Sequence, residues 1–273
     1  MKVVRTIGEL QALLAEQRAA GHSIGLVPTM GAFHDGHLAL MRAARQANAC
    51  VVVSLFVNPT QFGPNEDLER YPRDEERDVE LAVGADVNLL FIPPLEEMYP
   101  PGFDTTVDPG SLATVLEGAV RPGHFRGVAT ICTRLFSLVQ PERAYFGRKD
   151  AQQVAVLKQV VRDLGLGLEI VACPTVRDAD GLALSSRNAY LAESERGAAL
   201  ALPRSLEAGL HVHGGGGSAD DVIAATRQLL DAESRLTVDY VAVADLDGVS
   251  LAAAVRVGGT RLIDNVLLEE TGG

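Results

Sequence analysis

The feature that most restricts the fold of this chain is a series of short apolar runs, each separated from the next by an amphipathic segment. Residues 50–57 form the clearest run: they are rich in β-branched side chains and end at Asn58-Pro59, as a buried strand does. Residues 23–27 form a second run, which ends before Pro28. Continuous apolar strands that alternate with amphipathic helices predict a parallel sheet with helices on both faces.

The same pattern continues to about residue 172, and it indicates an α/β fold. Because crossover connections between parallel strands are right-handed, we expect a Rossmann-like, doubly wound sheet that binds ligands beyond the carboxyl ends of its strands. The predicted strands are residues 23–27, 50–57, 87–92, 144–146 and 168–172, and the predicted helices are 8–20, a segment that includes Leu38 and Ala44, 66–83, 128–138 and 151–164.

The alternation of apolar runs and amphipathic segments ends near residue 176. Helices are predicted at 193–210 and 219–232, on either side of the glycine run 214–217, with short strands at 238–243 and 260–268. We therefore predict two domains: a Rossmann-like domain over residues 1–175 and a smaller α+β C-terminal domain over residues 176–273.

Composition limits the partners of the chain. It has 36 acidic and 24 basic residues and a formal charge of −12, so its surface as a whole repels nucleic acid backbones and anionic lipid headgroups. We expect neither nucleic acid nor membrane as a partner, although a local cleft can still bind a small anion.

Cysteine usage and the N-terminal sequence predict the compartment. The 3 cysteines are far apart and form no CxxC pair, which favours buried, reduced thiols over a disulfide framework or a zinc site. The N-terminus carries no signal-peptide core, and the apolar stretch 49–57 is too short to cross a bilayer. We expect a cytoplasmic protein.

A candidate nucleotide site is Pro28-Thr-Met-Gly-Ala-Phe-His34-Asp-Gly36-His37, between a predicted strand and a predicted helix. Backbone N–H groups and the helix dipole favour phosphate at such a place. His34 and His37, three residues apart, can both donate to phosphate oxygens, and Gly36 lets a flat ring approach the backbone. The alternatives are a chance turn or a metal site built on the two histidines.

This motif resembles the HIGH signature of the nucleotidyltransferase superfamily, and further motifs narrow the resemblance to the pantothenate synthetase family. Together they extend over nearly the entire chain, in the order of that family. They are Pro28-Thr-Met-Gly31, Asn58-Pro-Thr-Gln-Phe62, Tyr71-Pro-Arg73, Leu116-Glu-Gly118, Arg121-Pro-Gly-His-Phe-Arg-Gly127, Lys149-Asp150 with Gln152-Gln153, Asp180-Gly-Leu-Ala-Leu-Ser-Ser-Arg-Asn188 and Arg261-Leu-Ile-Asp-Asn265.

The resemblance implies the ATP-dependent condensation of (R)-pantoate with β-alanine to pantothenate, AMP and diphosphate, through a pantoyl-adenylate intermediate. ATP is then a substrate, and Mg²⁺ is expected to bind through the ATP phosphates, with its protein ligands unassigned. The first domain would bind nucleotide and pantoate, the second would be a lid, and the protein would be a homodimer.

The resemblance also assigns roles to residues. The predicted catalytic residues are His34, His37, Lys149, Ser185, Ser186 and Arg187, of which His37 is the usual proton donor. The predicted ATP-binding residues are Met30, Gly31, His34, Gly36, His37, Gly147, Arg148, Lys149, Asp150, Val176, Leu184, Ser185, Ser186 and Arg187. The predicted pantoate- and β-alanine-binding residues are Met30, Asn58, Gln61, Arg121 and Gln153.

Two features depart from the family pattern. Arg148 stands where the family commonly has Glu, and it either strengthens phosphate attraction or faces solvent. The segment 247–261 is shorter than usual, which predicts a trimmed hairpin. A third feature has two interpretations: Arg121, His124 and Arg126 form a basic patch that either contacts ligand or supports the sheet edge.

Two other functions remain compatible with the nucleotide motif. An adenylyltransferase would stop after moving AMP onto a phosphate acceptor, and Gln61 and Gln153 argue against it. A regulatory module would bind ATP without turnover, and the intact histidines and Lys149 argue against that.

Overall fold

The computed structural model describes residues 1–64 and 66–268. Over these residues the chain forms two compact units: the first consists of residues 1–147 and 153–173, and the second of residues 148–152 and 174–268. Residue 65 of the predicted first domain and residues 269–273 of the second lie outside the described residues. The roles predicted for the two domains, substrate binding and a lid, stay predictions.

The first unit is built on a parallel sheet, as predicted. Within the described residues it has six strands in the order β1-β4-β3-β2-β5-β6. They are β1 (Lys2–Val4), β2 (Ile24–Thr29), β3 (Cys50–Leu55), β4 (Leu89–Phe91), β5 (Arg143–Gly147) and β6 (Glu169–Cys173). The chain leaves β2 towards β3 and later returns to the other side of β2 as β5, so the switch point of the sheet lies at the carboxyl ends of β2 and β5.

Helices cover both faces of this sheet. Leu26 and Val52 belong to one apolar cluster, and the next residues along each strand, Val27 and Val53, belong to another, as the alternation of side chains across a strand requires. The helices are α1 (Ile7–Ala19), α2 (Asp35–Ala47), α3 (Glu75–Gly84), α4 (Leu95–Met98), α5 (Glu117–Val120), α6 (His124–Val139) and α7 (Ala151–Asp163), whose first two residues belong to the second unit. The doubly wound prediction is confirmed.

The second unit has the α+β architecture predicted for the smaller domain, but it also contains residues 148–152, which the sequence analysis assigned to the first domain. Over the part of the chain that is described, its sheet has three antiparallel strands in the order β7-β8-β9, packed against helices through one apolar cluster. Its elements are α8 (Glu193–Ala199), α9 (Ala201–Gly214), α10 (Ala219–Ala232), β7 (Leu236–Asp245), β8 (Val249–Val257) and β9 (Thr260–Leu267).

Proline accounts for two errors in the predicted helices. The predicted helix 66–83 begins only at Glu75, because Pro72 disfavours a helical conformation for the residue before it and Asp74 caps the helix by accepting from the Arg77 N–H. The predicted single helix 193–210 is two helices, since Pro203 has no N–H to donate to the carbonyl of residue 199.

Two strands escaped the sequence analysis, namely β1 and β8. The middle of β8 contains Ala252, Ala253 and Ala254, and alanine is a weak strand former. A glycine in the facing helix allows close packing: a Cβ at Gly209 of α9 would lie 2.5 Å from Leu251 Cδ2 of β8. Tight packing, and not propensity, therefore determines this strand.

Candidate active site

The loop between β2 and α2 holds the first group of predicted ligand residues, and a buried carboxylate fixes its shape. Asp78 of α3, 1% exposed, accepts from the backbone N–H groups of Ala32 (2.8 Å) and Phe33 (2.7 Å). A Cβ at Gly31, whose φ is +82°, would lie 2.9 Å from Asp78 Oδ2. The expectation that the backbone of this loop cradles phosphate is therefore wrong for Ala32 and Phe33, whose N–H groups bind Asp78.

Burial dominates the electrostatics of Asp78. It raises the pKa of the Asp78 carboxyl, and the two backbone hydrogen bonds act in the opposite direction by favouring the charged form. The sequence analysis did not single out this residue. Its only signal was an acidic side chain among the apolar positions of a helix rich in acidic residues.

His34 and His37 lie at the start of α2 and cap it. His34 Nδ1 accepts from the Gly36 N–H (3.1 Å), and His37 Nδ1 accepts from the His34 N–H (3.3 Å). Since a backbone N–H can only donate, both Nδ1 atoms are acceptors, and each neutral ring carries its hydrogen on Nε2. The ring centroids are 4.1 Å apart. The sequence-predicted pair is thus brought together as two Nε2–H donors.

The alternative of a metal site on these histidines gains no support from the structure. Within residues 1–64 and 66–268, no group of three or more His, Cys, Asp or Glu side chains is placed to hold a metal ion. Both Nδ1 atoms are also occupied by backbone N–H groups.

Met30, Asn58 and Gln61, to which the sequence analysis gave one predicted role, lie together at the turn after β3. Gln61 Oε1 accepts from Asn58 Nδ2 (3.0 Å), and Gln61 Nε2 donates to Met30 Sδ (3.0 Å). Asn58 Oδ1 accepts from the Tyr99 hydroxyl (2.8 Å) and from the Thr60 hydroxyl (2.9 Å). The carboxamide of Gln61 is therefore held at both ends.

Arg121 lies in a network that also reaches Gln61. Arg121 donates to both carboxylate oxygens of Glu66, from Nε (2.7 Å) and from Nη2 (2.6 Å), and Arg121 Nη1 lies 2.9 Å from His124 Nε2. His124 Nδ1 lies 2.9 Å from the Gln61 carbonyl oxygen. Of the basic patch predicted from the sequence, Arg121 and His124 join this network, whereas Arg126 is 57% exposed in its side chain.

Gln153 and Gly147 complete the predicted residues of the first unit. Gln153 lies half-buried in the first turn of α7, and Gly147 is the last residue of β5, at the switch point of the sheet. A pantoate contact by Gln153 and an ATP contact by Gly147 stay predictions.

In the second unit, Arg148, Lys149 and Asp150 form one 3₁₀ turn. Lys149 Nζ lies 3.4 Å from Asp150 Oδ1. Arg148 donates from Nη2 to Asp247 Oδ2 (3.0 Å) and from Nη1 to the Asp247 carbonyl (3.1 Å). Asn265 Nδ2 donates to the carbonyl oxygens of Arg148 (2.8 Å) and Lys149 (2.9 Å). Arg148 therefore forms an ion pair within its own unit, and neither of the two interpretations offered for it described this pair.

The segment from Val176 to Arg187 forms a small loop structure. The Leu184 N–H donates to the Val176 carbonyl (3.0 Å), so these two predicted ATP contacts are neighbours. Ser185 caps the 3₁₀ turn Ser186–Tyr190 by accepting from the Arg187 N–H (3.3 Å). Three of the predicted ATP-binding residues, Ser185, Ser186 and Arg187, thus lie on one short, capped turn.

The sequence matches a protein-family model over nearly the whole chain. The model of the family described as pantoate-beta-alanine ligase matches residues 2–267. The chain belongs to the pantoate-beta-alanine ligase family.

Individual pantoate-beta-alanine ligases agree with this assignment. The pantothenate synthetase of Moorella thermoacetica is 54% identical over 280 residues, which cover 98% of this chain and 99% of that protein. The crystal structure of pantothenate synthetase from Thermus thermophilus matches with a TM-score of 0.93 and 49% identity, over 98% of this chain and 99% of that one.

A liganded member of the family is also similar. The pantoate-beta-alanine ligase of Francisella tularensis, described as complexed with beta-gamma ATP and beta-alanine, has a TM-score of 0.84 and 33% identity, and the match covers 98% of both chains. Among the described residues of the present chain, no helix is both long enough and apolar enough to span a membrane.

Proposed function

We propose that the chain condenses pantoate with β-alanine at the expense of ATP, as a pantoate–β-alanine ligase that forms AMP. The observation that carries this proposal is the first turn of α2, in which backbone hydrogen bonds fix both His34 and His37 as neutral Nε2–H donors. Such donors suit the charge that develops on phosphate oxygens when diphosphate leaves ATP. The turn follows β2 at the switch point of the sheet, where ligands of doubly wound folds bind.

The reaction proceeds in two displacement steps. A carboxylate oxygen of pantoate attacks the α-phosphorus of ATP, the bond from that phosphorus to the bridging oxygen breaks, and diphosphate leaves. The β-alanine amine then attacks the acyl carbon of pantoyl adenylate, the acyl–oxygen bond breaks, AMP leaves, and the amine loses a proton. Because the substrates supply both nucleophiles, the enzyme contributes positioning and charge stabilisation and no covalent intermediate of its own.

Pantoate is assigned to the neutral amides of the first unit. Gln61 and Gln153 read its hydroxyl and carboxylate groups, and neutral side chains do so without quenching the nucleophile. Met30 supplies an apolar wall, and Asn58 holds Gln61 (3.0 Å). The family resemblance assigns Arg121 to pantoate or β-alanine. The structure pairs its guanidinium with Glu66, so the ligand contact is proposed on the resemblance alone.

ATP is assigned to the residues that the family resemblance gave it. Met30, Gly31, Gly36 and Gly147 bring backbone close to the nucleotide, and Lys149 supplies a point charge to the phosphates while Asp150 accepts from the ribose. Arg148 is also assigned to the ATP-binding residues, because it shares a 3₁₀ turn with Lys149. The remaining assignments are Val176 to adenine and Leu184, Ser185, Ser186 and Arg187 to the triphosphate.

Mg²⁺ is assigned to the ATP phosphates. The described residues offer no cluster of three acidic, histidine or cysteine side chains for it, and Mg²⁺ commonly binds through substrate phosphates and water. There it would neutralise phosphate charge. We further propose a cytoplasmic homodimer, and light scattering of the purified protein tests the dimer.

The test is a reconstitution with purified protein, ATP, Mg²⁺, pantoate and β-alanine, from which each organic substrate is omitted in turn. We expect AMP and pantothenate in equal amounts, and neither AMP nor pantothenate in multiple turnovers when pantoate or β-alanine is missing. Diphosphate release with transfer of AMP to a phosphate acceptor, and no amide product, would favour the adenylyltransferase. ATP binding without any product would favour the regulatory module.

A further inference from the structure

The backbone of Gln61 is held by a side chain to which the proposed reaction gives no role. His124, the first residue of α6, has Nδ1 2.9 Å from the Gln61 carbonyl oxygen and Nε2 2.9 Å from Arg121 Nη1. A guanidinium can only donate, so Nε2 must accept. The neutral ring therefore carries its hydrogen on Nδ1 and donates it to the Gln61 carbonyl.

An ion pair keeps Arg121 in the position that this arrangement needs. Its guanidinium binds Glu66 through two hydrogen bonds, of 2.7 and 2.6 Å, and the side chains of Arg121 and Glu66 are only 14% and 24% exposed. Two-pronged pairing of this kind fixes the plane of the guanidinium as well as its position. Arg121 Nη2 also lies 3.4 Å from the Gln61 carbonyl, so two donors converge on one acceptor.

The surroundings keep His124 neutral. Burial and, to a smaller extent, the charge of Arg121 lower the pKa of His124 to about 4, although the Gln61 carbonyl and the carboxylates of Glu66 and Glu117 act in the opposite direction. A neutral ring retains the acceptor at Nε2, on which the contact with Arg121 depends.

The same helix also contacts the Gln61 turn through its backbone. A Cβ at Gly127, one turn after His124, would lie 2.4 Å from the Thr60 carbonyl oxygen and 2.7 Å from Gln61 Cα. The Gly127 carbonyl accepts from Asn58 Nδ2 (3.2 Å), and the same Nδ2 donates to Gln61 Oε1. The first turn of α6 thus determines where the Gln61 turn lies, and His124 is the part of it that a point substitution can remove.

We propose that His124 is a positioning residue for pantoate: it fixes the carbonyl of Gln61, and thereby the carboxamide that lies between Met30 and Asn58. This inference rests on the proposed function, because it takes Gln61 as a pantoate ligand. It separates His124 from the catalytic residues, since it acts through Gln61 and not on the reacting atoms. Preformed geometry lowers the ordering cost of binding, so its loss weakens the binding of pantoate.

The test compares three variants by steady-state kinetics with each substrate varied in turn. His124→Ala removes the donor. His124→Asn places an amide N–H near the position of Nδ1. Arg126→Ala is the matched control, because it lies on the same turn of α6 with a side chain 57% exposed and a 3.8 Å contact with Asp108. Far-ultraviolet circular dichroism and thermal unfolding verify that each variant is folded.

We expect His124→Ala to raise the KM for pantoate about tenfold or more and to leave the KM for ATP within about twofold. His124→Asn should recover most of the loss, and Arg126→Ala should behave as the wild type. Equal increases in the KM for ATP and for pantoate, or an unchanged KM for pantoate in folded His124→Ala, would overturn the inference. If His124→Ala does not fold, an Asn variant with the KM of the wild type supports the inference and one with an equal rise for both substrates overturns it.

The failure of the proposed function would look different. In that case the wild type and Arg126→Ala would themselves form no pantothenate. Turnover by both proteins, together with an unselective or absent effect at His124, would refute the positioning role alone.

Discussion

Two segments that carry predicted ATP-binding residues are held in opposite ways. In the loop before α2, the carboxylate of Asp78 accepts from two backbone N–H groups, those of Ala32 and Phe33. In the turn of Arg148 and Lys149, the neutral amide of Asn265 donates to two backbone carbonyls. Each holding side chain is buried, with exposures of 1% and 6% respectively.

The difference shows what each segment has left for an anion. Asp78 uses backbone N–H groups that a phosphate could otherwise have taken, and it adds a buried negative charge. In that loop we therefore expect the imidazoles of His34 and His37, rather than the backbone of Ala32 and Phe33, to donate to an anion. Asn265 uses only carbonyl oxygens, which a phosphate cannot use, and it adds no charge beside the ammonium of Lys149.

The largest expected effect on stability comes from removing the charged side chain, that of Asp78. Asp78→Ala leaves the N–H groups of Ala32 and Phe33 without their acceptor in a buried loop, so we expect a loss of about 3 kcal/mol in the free energy of unfolding. Urea unfolding measures it. Glu80→Gln, on the same helix and exposed, serves as the control and should change stability by less than about 0.5 kcal/mol. A loss at Asp78 as small as that at Glu80 would show that the loop holds its own shape.

His124 adds to this comparison a titratable side chain that binds a backbone carbonyl. His124 donates to a backbone carbonyl as Asn265 does, but its pKa is lowered from 6.5 to about 4 in the folded protein. Between these values the unfolded chain binds the additional proton, so stability rises with pH and is lost as the pH falls from about 7 towards 4. We expect this residue to contribute about 2 kcal/mol of loss between pH 7 and pH 5.

The measurement is urea unfolding of the wild type and of His124→Asn at both pH values, since the variant cannot titrate at this position. The difference between the two proteins isolates His124 from other groups that titrate in the same range. An identical pH dependence of the two proteins would contradict the prediction.

Asn265, the neutral side chain, should contribute less to the free energy of unfolding than Asp78. Asn265→Ala removes two hydrogen bonds to backbone carbonyls, but Asn265 Oδ1 is itself buried without a hydrogen-bond partner among the described residues, so removal of the amide also relieves that cost. We expect a loss of about 1.5 kcal/mol. Asn265→Asp keeps the volume but places an acceptor against two carbonyls, and it should cost more. Equal stabilities of Asn265→Asp and the wild type would show that the two carbonyls do not need a donor.

The smallest effect should come from the ion pair between Arg148 and Asp247. Their side chains are 21% and 19% exposed, and partly solvated pairs contribute at most about 1 kcal/mol. A double-mutant cycle with Arg148→Ala and Asp247→Ala measures the coupling, which should shrink in high salt. A coupling above about 2 kcal/mol would place this pair in the same class as the Asp78 contacts.

Much of the fold could be predicted because burial leaves a direct trace in the sequence. The strand around Val52 is apolar throughout, since both faces of the sheet are covered, and the first turn of α2 is marked by the spacing of His34 and His37. Family resemblance, and not spacing, supplied Gln61 and Lys149 as candidates. The motifs around them, Asn58-Pro-Thr-Gln-Phe62 and Lys149-Asp150, identify them only through that resemblance, because an isolated Gln or a Lys-Asp pair is usually a solvated surface group.

The holding residues could not be predicted because they act across long stretches of chain. Asp78 lies 46 residues after Ala32, and Asn265 lies 116 residues after Lys149. A buried carboxylate in an acidic helix has the local pattern of a solvated one. The pairing of Arg121 with Glu66 was hidden for the same reason, since the basic patch showed its charges but not the partner that neutralises them.

The most direct test of the central claim follows the oxygen of pantoate. Pantoate labelled with ¹⁸O in its carboxylate is converted to pantothenate in the presence of ATP, Mg²⁺ and β-alanine, and the AMP is analysed by mass spectrometry. If the carboxylate attacks the α-phosphorus and AMP later leaves the acyl carbon, each AMP carries one ¹⁸O from fully labelled pantoate. Unlabelled AMP, or ¹⁸O in inorganic phosphate with ADP as the nucleotide product, would contradict the pantoyl-adenylate route.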